Sequence, residues 1–245
     1  MRFFQICFMV LCLCACQPKE YTLHLVGDST MADKENPESN PEFGWGQVLP
    51  EFFDGNVTIV NHAKNGRSTK SFIEEGRWQQ VMDDLNVGDY VFIQFGHNDQ
   101  KTNKPERYAN AYSGYRANLE KMIKEVKSAD ATPIIFSSIV RRNFNADGVL
   151  EDTHGAYPFV ARTIAKEMNV PFVDMQVSSE KLVNELGDEP SKALYLWVPA
   201  DTNDYFPKGK QDNTHFSKQG AQAMCQLALD EMKKYRFNFL NHLKK

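Results

Sequence analysis

Short apolar runs alternate with amphipathic helical patterns along most of the chain. The runs cover 22–26, 57–63, 89–95, 133–140 and 170–174. They are β-branched, aromatic and near-continuous, as strands covered on both faces are. Between them the pattern predicts helices near 46–53, 70–86, 114–130, 156–168, 176–187 and 217–235. In the third, Tyr115, Leu119, Met122, Ile123 and Val126 fall at helical spacing. The last opens at Ser217, a residue suited to an N-cap, and ends in the basic turn Lys233-Lys234. Strand alternating with helix predicts the α/β class: one domain, a three-layer α/β/α sandwich around a doubly wound parallel sheet of about five strands.

The first 16 residues stand outside this alternation. Met1-Arg2 gives a minimal positive start, Phe3 to Leu13 is almost wholly apolar, and Leu13-Cys14-Ala15-Cys16 closes the segment with small residues. The stretch is shorter than the roughly 20 residues that span a bilayer, so it reads as a signal peptide. Leu-Cys-Ala-Cys also resembles the bacterial lipobox. That resemblance implies cleavage before Cys16, lipidation of Cys16, and an exported lipoprotein anchored in a bacterial cell envelope, facing the periplasm or the outside. A plain secretory signal with a cysteine-rich end is the alternative. The rest, 17–245, reads as a single domain, since no Pro/Gly/Ser-rich linker divides it.

Composition narrows the function. With 42% hydrophobic and 12% aromatic residues the chain of 245 can bury a full core. A net charge of −4, with both signs interspersed, argues against a nucleic-acid partner. Four of the five cysteines, Cys7, Cys12, Cys14 and Cys16, lie in the leading segment. Cys225 alone remains, which excludes an internal disulfide or a cysteine-based metal site in the mature chain. It shares a helical face with Ala221, Ala228, Leu229 and Met232 and reads as a packing thiol.

Chemistry-bearing turns follow the first three runs: Gly27-Asp28-Ser29-Thr30, then Lys64-Asn65-Gly66-Arg67-Ser68-Thr69, then Gly96-His97-Asn98-Asp99. In a parallel sheet they converge on one side, where open α/β sheets place their ligands. Ser29 is a candidate nucleophile. Far along the chain Asp212-Asn213-Thr214-His215 offers an acid and a histidine three apart, spaced for Asp212 to orient the ring of His215 toward Ser29. Cleaving an ester also needs donors for an oxyanion. The backbone N–H of Ser29, that of Gly66 and the side-chain amide of Asn98 are the candidates.

Gly27-Asp28-Ser29, Gly66, Gly96-x-Asn98-Asp99 and Asp212-x-x-His215 together resemble the four blocks of the SGNH (GDSL) hydrolases, in order and over nearly the whole mature chain. The resemblance implies a flavodoxin-like fold, with Ser29 as nucleophile, His215 as base, Asp212 orienting it, and Gly66 and Asn98 completing the oxyanion hole. Finer features resemble the rhamnogalacturonan acetylesterase branch: Asn65-Gly66-Arg67-Ser68-Thr69, Gly76-Arg77-Trp78, Arg141-Arg142-x-Phe144, Thr153-His154-Gly155-x-Tyr157 and Asp212-Asn213-Thr214-His215-Phe216. These imply removal of acetyl groups from a plant cell-wall polysaccharide, pectic rhamnogalacturonan first, without a cofactor or a metal. Asn213 departs from the commoner threonine of that block and leaves the catalytic pair intact. Arg67, His97, Arg141, Arg142, His154 and Tyr157 are candidate substrate contacts.

Each residue also has a plainer reading. Ser29 could cap a helix, His215 could be a surface histidine, Gly66 a turn glycine and Asn98 a local backbone partner. His97 could support its turn, and His154 could start a helix. Trp45, Trp78, Tyr108, Tyr112 and Trp197 could stack on sugars or simply fill core and rim. Arg141 and Arg142 could meet an acidic uronic-acid polymer or be solvated. Beside a general carbohydrate or lipid esterase of other specificity, two other classes compete: a metal-dependent phosphoesterase, which Gly27-Asp28, His97-Asn98-Asp99 and His215 superficially resemble, and a non-catalytic glycan-binding lipoprotein.

Overall fold

The five apolar runs become the five strands of one parallel sheet in the computed structural model, which describes residues 20–244. The leader and Cys16 lie outside the described residues. The strands are β1 (Tyr21–Gly27), β2 (Val57–Asn61), β3 (Tyr90–Gln94), β4 (Thr132–Phe136) and β5 (Phe172–Val173), in spatial order β2-β1-β3-β4-β5. Their near-continuous hydrophobicity has the expected cause. On β3, Phe92 joins one core cluster while Val91 and Ile93 join the other; on β4, Ile134 and Phe136 oppose Ile135. Both faces are dry.

The helices are α1 (Trp45–Val48), α2 (Thr69–Glu74), α3 (Arg77–Asp84), α4 (Arg116–Ser128), α5 (Ala156–Glu167), α6 (Met175–Leu186), α7 (Asp188–Ser191) and α8 (Lys218–Met232). Buried residues of α1, α6 and α8 pack on the face of Phe92 and Phe136. Those of α2, α3, α4 and α5 cover the other. Trp45, Phe136, Phe92 and Phe239 form a chain of aromatic rings with centroids 5.1–6.0 Å apart across the first layer, and Cys225 is buried there, donating to the carbonyl of Trp45.

The helix expected over 70–86 is two helices. The chain turns at Gly76, with φ +74°, between α2 and α3, a left-handed conformation that glycine adopts without penalty. The run 133–140 stops being strand at Phe136, and Ser137 to Val140 continue as a buried loop at the carboxyl edge. Two further strands, β6 (Tyr195–Val198) and β7 (Lys210–Phe216), form a separate antiparallel ribbon. Asp212 and His215 lie on β7.

Because β1 pairs with β2 on one side and β3 on the other, the winding reverses between β1 and β3. A crevice opens at the carboxyl ends of such a pair. Gly27 ends β1 against β3, where any Cβ would press on the Gln94 carbonyl, so the turns after both strands begin side by side.

Candidate active site

At the β1 turn Asp28 is fully buried and acts as the organiser. Its carboxylate accepts from the Thr30 N–H at 2.9 Å, the Thr30 hydroxyl at 2.8 Å and His97 Nδ1 at 3.2 Å. Burial alone would raise its pKa, but the His97 ring and the Thr30 donors overcome it and bring it down to about 2. The carbonyl of Asp28 also accepts the N–H groups of Met31 and Ala32. A turn pinned this way holds Ser29 at its apex.

The Ser29 hydroxyl lies 2.9 Å from His215 Nε2, and His215 Nδ1 lies 2.9 Å from Asp212 Oδ2. A carboxylate can only accept, so Nδ1 carries the ring proton and Nε2 is left with a lone pair facing the serine. Burial of Asp212 opposes its charge, yet the His215 ring and the backbone N–H groups of His215 and Thr214 hold its carboxyl well below the usual carboxylate range. The alignment comes from a break in the ribbon. Tyr195 pairs with Phe216 while the next residue, Leu196, pairs with Asp212, so Asn213, Thr214 and His215 bulge out of the ladder, and the Asp212 side chain closes the bulge from inside. Asn213 braces it, its Oδ1 accepting from Trp197 Nε1 at 2.8 Å and from Arg142 at 3.0 Å.

The second and third turns arrive beside the first. Gly66 has φ +77°, with the Arg107 guanidinium over its Cα. The amide of Asn98 is fixed by both ends: Nδ2 donates to the Arg67 carbonyl at 3.0 Å, and Oδ1 accepts from Lys101 at 2.8 Å. One amide hydrogen remains for a ligand. Asp99 ties the third turn to the second, its Oδ1 accepting from the Thr69 N–H and hydroxyl.

The candidate substrate contacts separate into two groups. Arg67 is partly open, paired with Glu75. Arg141 is half-buried, donating to Thr153 and to the His97 carbonyl. The other four point inward. His97 bridges Asp28 and the Ile139 carbonyl. Arg142 is buried against Asp188, Ser191 and Asn213. His154 is buried edge-on to His97, and the Tyr157 hydroxyl donates to the carbonyls of Ala109 and Asp99. His97, Arg142 and Tyr157 brace the site from behind because a parallel sheet leaves polar loop ends at its rim, which need internal partners, whereas both ring nitrogens of His154 are buried without a partner among the described residues. Among the aromatics, Trp45 and Trp78 are buried, while Tyr112 is exposed. Among the described residues, no group of three His, Cys, Asp or Glu side chains is placed to hold a metal ion.

Two residues of the site escaped the sequence reading. Gln94, ending β3, accepts from Trp45 Nε1 at 2.8 Å and donates to the Ser137 carbonyl; a lone glutamine inside an apolar run was a legible signal. Lys34, buried beside Ser29, gave none, since local spacing says nothing about which distant loop a side chain will meet.

A hydroxyl, an imidazole and a carboxylate in line at the carboxyl edge of a doubly wound sheet are the apparatus of acyl transfer. They define the protein as a carboxylic ester hydrolase. Residues 25–223 match the GDSL-like Lipase/Acylhydrolase family, and the chain belongs to it. It is 37% identical over 225 residues to the rhamnogalacturonan acetylesterase RhgT of Bacillus subtilis (strain 168), covering 92% of this chain and 95% of that protein. Its fold matches that of Bacillus subtilis YxiM with a TM-score of 0.75 at 24% identity, over 89% of this chain and 58% of the other. It also matches a mutant of Axe2, an acetyl-xylooligosaccharide esterase from Geobacillus, with a TM-score of 0.62 at 21% identity, over 87% of this chain and 94% of the other.

Proposed function

We propose that the protein removes O-acetyl groups from a plant cell-wall polysaccharide, with pectic rhamnogalacturonan as the first substrate, through an acyl-enzyme on Ser29. The observation that carries this is the unbroken line from Asp212 through His215 to the Ser29 hydroxyl, in a chain similar over nearly its whole length to RhgT.

His215 takes the Ser29 proton as the oxygen attacks the acetyl carbonyl, and the tetrahedral oxyanion accepts from the N–H groups of Ser29 and Gly66 and from the Asn98 amide. His215 then passes its proton to the departing sugar oxygen, leaving acetyl-Ser29. Water, losing a proton to the same ring, attacks that ester and frees acetate and the serine. Each oxyanion donor contributes on the order of 2.7–4 kcal/mol in such sites.

A uronic-acid polymer suits the charge at this rim. Lys101, beside Asn98, is held below its ordinary pKa by burial and by the neighbouring cations Arg107, Arg141 and Lys104. A substrate carboxylate relieves that crowding. Acetate release from acetylated rhamnogalacturonan, xylan and p-nitrophenyl acetate tests the preference, and equal rates on the two polysaccharides would make this a general deacetylase. Ser29→Ala is expected to lower acetate release at least about a thousandfold with folding and glycan retention intact. Turnover at the parent rate would overturn the serine mechanism.

We propose also that the mature chain begins at a lipidated Cys16 and is held at a bacterial envelope membrane. Support comes from Leu13-Cys14-Ala15-Cys16 after an apolar stretch, and several acyl chains on one cysteine anchor firmly. Cys16→Ser should move the protein from the membrane to the soluble fraction; no change would exclude the anchor.

A further inference from the structure

Lys34 sits in the loop beyond the β1 turn with its side chain 1% exposed. Its ammonium donates to the Ser29 carbonyl at 2.5 Å, to Asn65 Oδ1 at 2.9 Å and to Glu42 Oε1 at 2.8 Å. An ammonium has three N–H groups, so each has an acceptor. A buried charge is costly even when paired, and an apolar side chain of similar volume would fill the space at less cost.

Its partners point to what offsets the cost. Ser29 is the apex of the first turn, and Asn65 immediately precedes Gly66 in the second. The backbone bond from the Lys64 N–H to the Gly27 carbonyl registers the strand ends. Beyond it, among the described residues, Lys34 is the one hydrogen-bonded link between 28–30 and 65–66. We propose that Lys34 is a positioning residue for ester cleavage, clamping the Ser29 carbonyl to the Asn65 side chain so that the N–H groups of Ser29 and Gly66 meet one oxyanion. This rests on the assignment of those two donors under the proposed function. The ammonium adds a fixed positive charge beside them, facing Glu42, Asp28 and Asp212, where negative charge develops in the transition state.

Binding a small ester needs none of this, whereas stabilising its tetrahedral intermediate does. With p-nitrophenyl acetate, Lys34→Met should therefore lower kcat about a hundredfold while KM stays within about threefold. Removing Lys34 also orphans Glu42, which would destabilise the fold. The double variant Lys34→Met/Glu42→Leu removes that carboxylate, and it should recover the melting temperature but not kcat. Burial draws the Lys34 pKa below its ordinary 10.5, with Glu42 opposing, so kcat of the parent should decline on the alkaline side and the double variant should lack that limb.

Parent-like kcat in Lys34→Met, or recovery of kcat together with melting temperature in the double variant, would overturn the proposal. So would a parent kcat that stays flat through pH 10.5. Loss of activity in Ser29→Ala alongside parent-like kcat in Lys34→Met removes only the role of Lys34. Full activity in Ser29→Ala removes the serine assignment itself.

Discussion

Asp99 shows how a side chain can serve the site while working against the fold. Its Oδ1 takes two donors from Thr69, but Oδ2 is buried without a partner among the described residues. Burial dominates over the Thr69 bonds and pushes its pKa up to about 7, from 3.8. A carboxyl whose folded pKa lies above its unfolded value favours the fold at low pH, and that contribution is lost as pH rises through about 7. At pH 8 the charge is present and unpaired. Asp99→Asn keeps an oxygen for Thr69 and removes the charge, so it should stabilise the protein at pH 8 by about 1–3 kcal/mol. Near pH 5 the parent carboxyl is itself neutral, and the gain should shrink toward zero. Thermal melts of parent and variant at the two pH values measure this, and an equal gain at both would refute the assignment.

At the scale of elements, what was legible depended on whether the signal was local. The five parallel strands could be read because residues such as Val91, Phe92 and Ile93 are buried on alternate faces, which leaves no polar interruption. The convergence of Ser29, Gly66 and Asn98 followed from strand order alone. The break at Gly76 was hidden because apolar periodicity runs through both α2 and α3. The ribbon was hidden for the opposite reason: Asp212 and Asn213 are poor strand formers, Asp212 being held by pairing with Leu196 and the bulge after it by the Asp212 side chain. The ribbon's position is set from α8. A Cβ on Gly220 would overlap the Leu194 carbonyl, next to the start of β6, and Ser217, capping α8 as its sequence predicted, holds the same segment through the Ala193 and Leu194 carbonyls. Gly220→Ala should cost about 1–3 kcal/mol through overpacking and lower kcat by shifting His215 away from Ser29. A variant with parent-like kcat and melting temperature would show that the contact yields freely.

Across the whole molecule, half-buried His62 and buried His154 are expected to weaken the fold in acid. His62 Nε2 lies 3.0 Å from His24 Nδ1, and His24 Nε2 reaches Asp89 at 3.1 Å, linking β1, the end of β2 and the start of β3. Burial, aided by His24 and opposed by Asp84, lowers the His62 pKa from 6.5 to about 4. Burial, aided by His97 and Arg141, also holds the His154 ring well below the ordinary histidine range. The unfolded chain therefore binds more protons below pH 6.5, and stability conferred by these rings is lost as pH falls from there toward 4. Protonating Asp99 pulls in the other direction over the same range, so Asp99→Asn should steepen the loss. Melting temperatures between pH 7 and 4.5 should fall by several degrees, at about 2–4 °C per kcal/mol for a chain of this size. A melting temperature of the Asp99→Asn variant that stays constant over that interval would contradict the lowered pKa of these rings.

The proposed base His215 and its partner Asp212 lie on a two-stranded ribbon outside the main sheet, while Ser29, the proposed nucleophile, follows a central strand of that sheet. Small peripheral units open at lower free energy than the interior they lean on. Turnover is therefore expected to fall in mild urea before circular dichroism reports loss of the sandwich, and coincident losses would show that the ribbon opens only with the core.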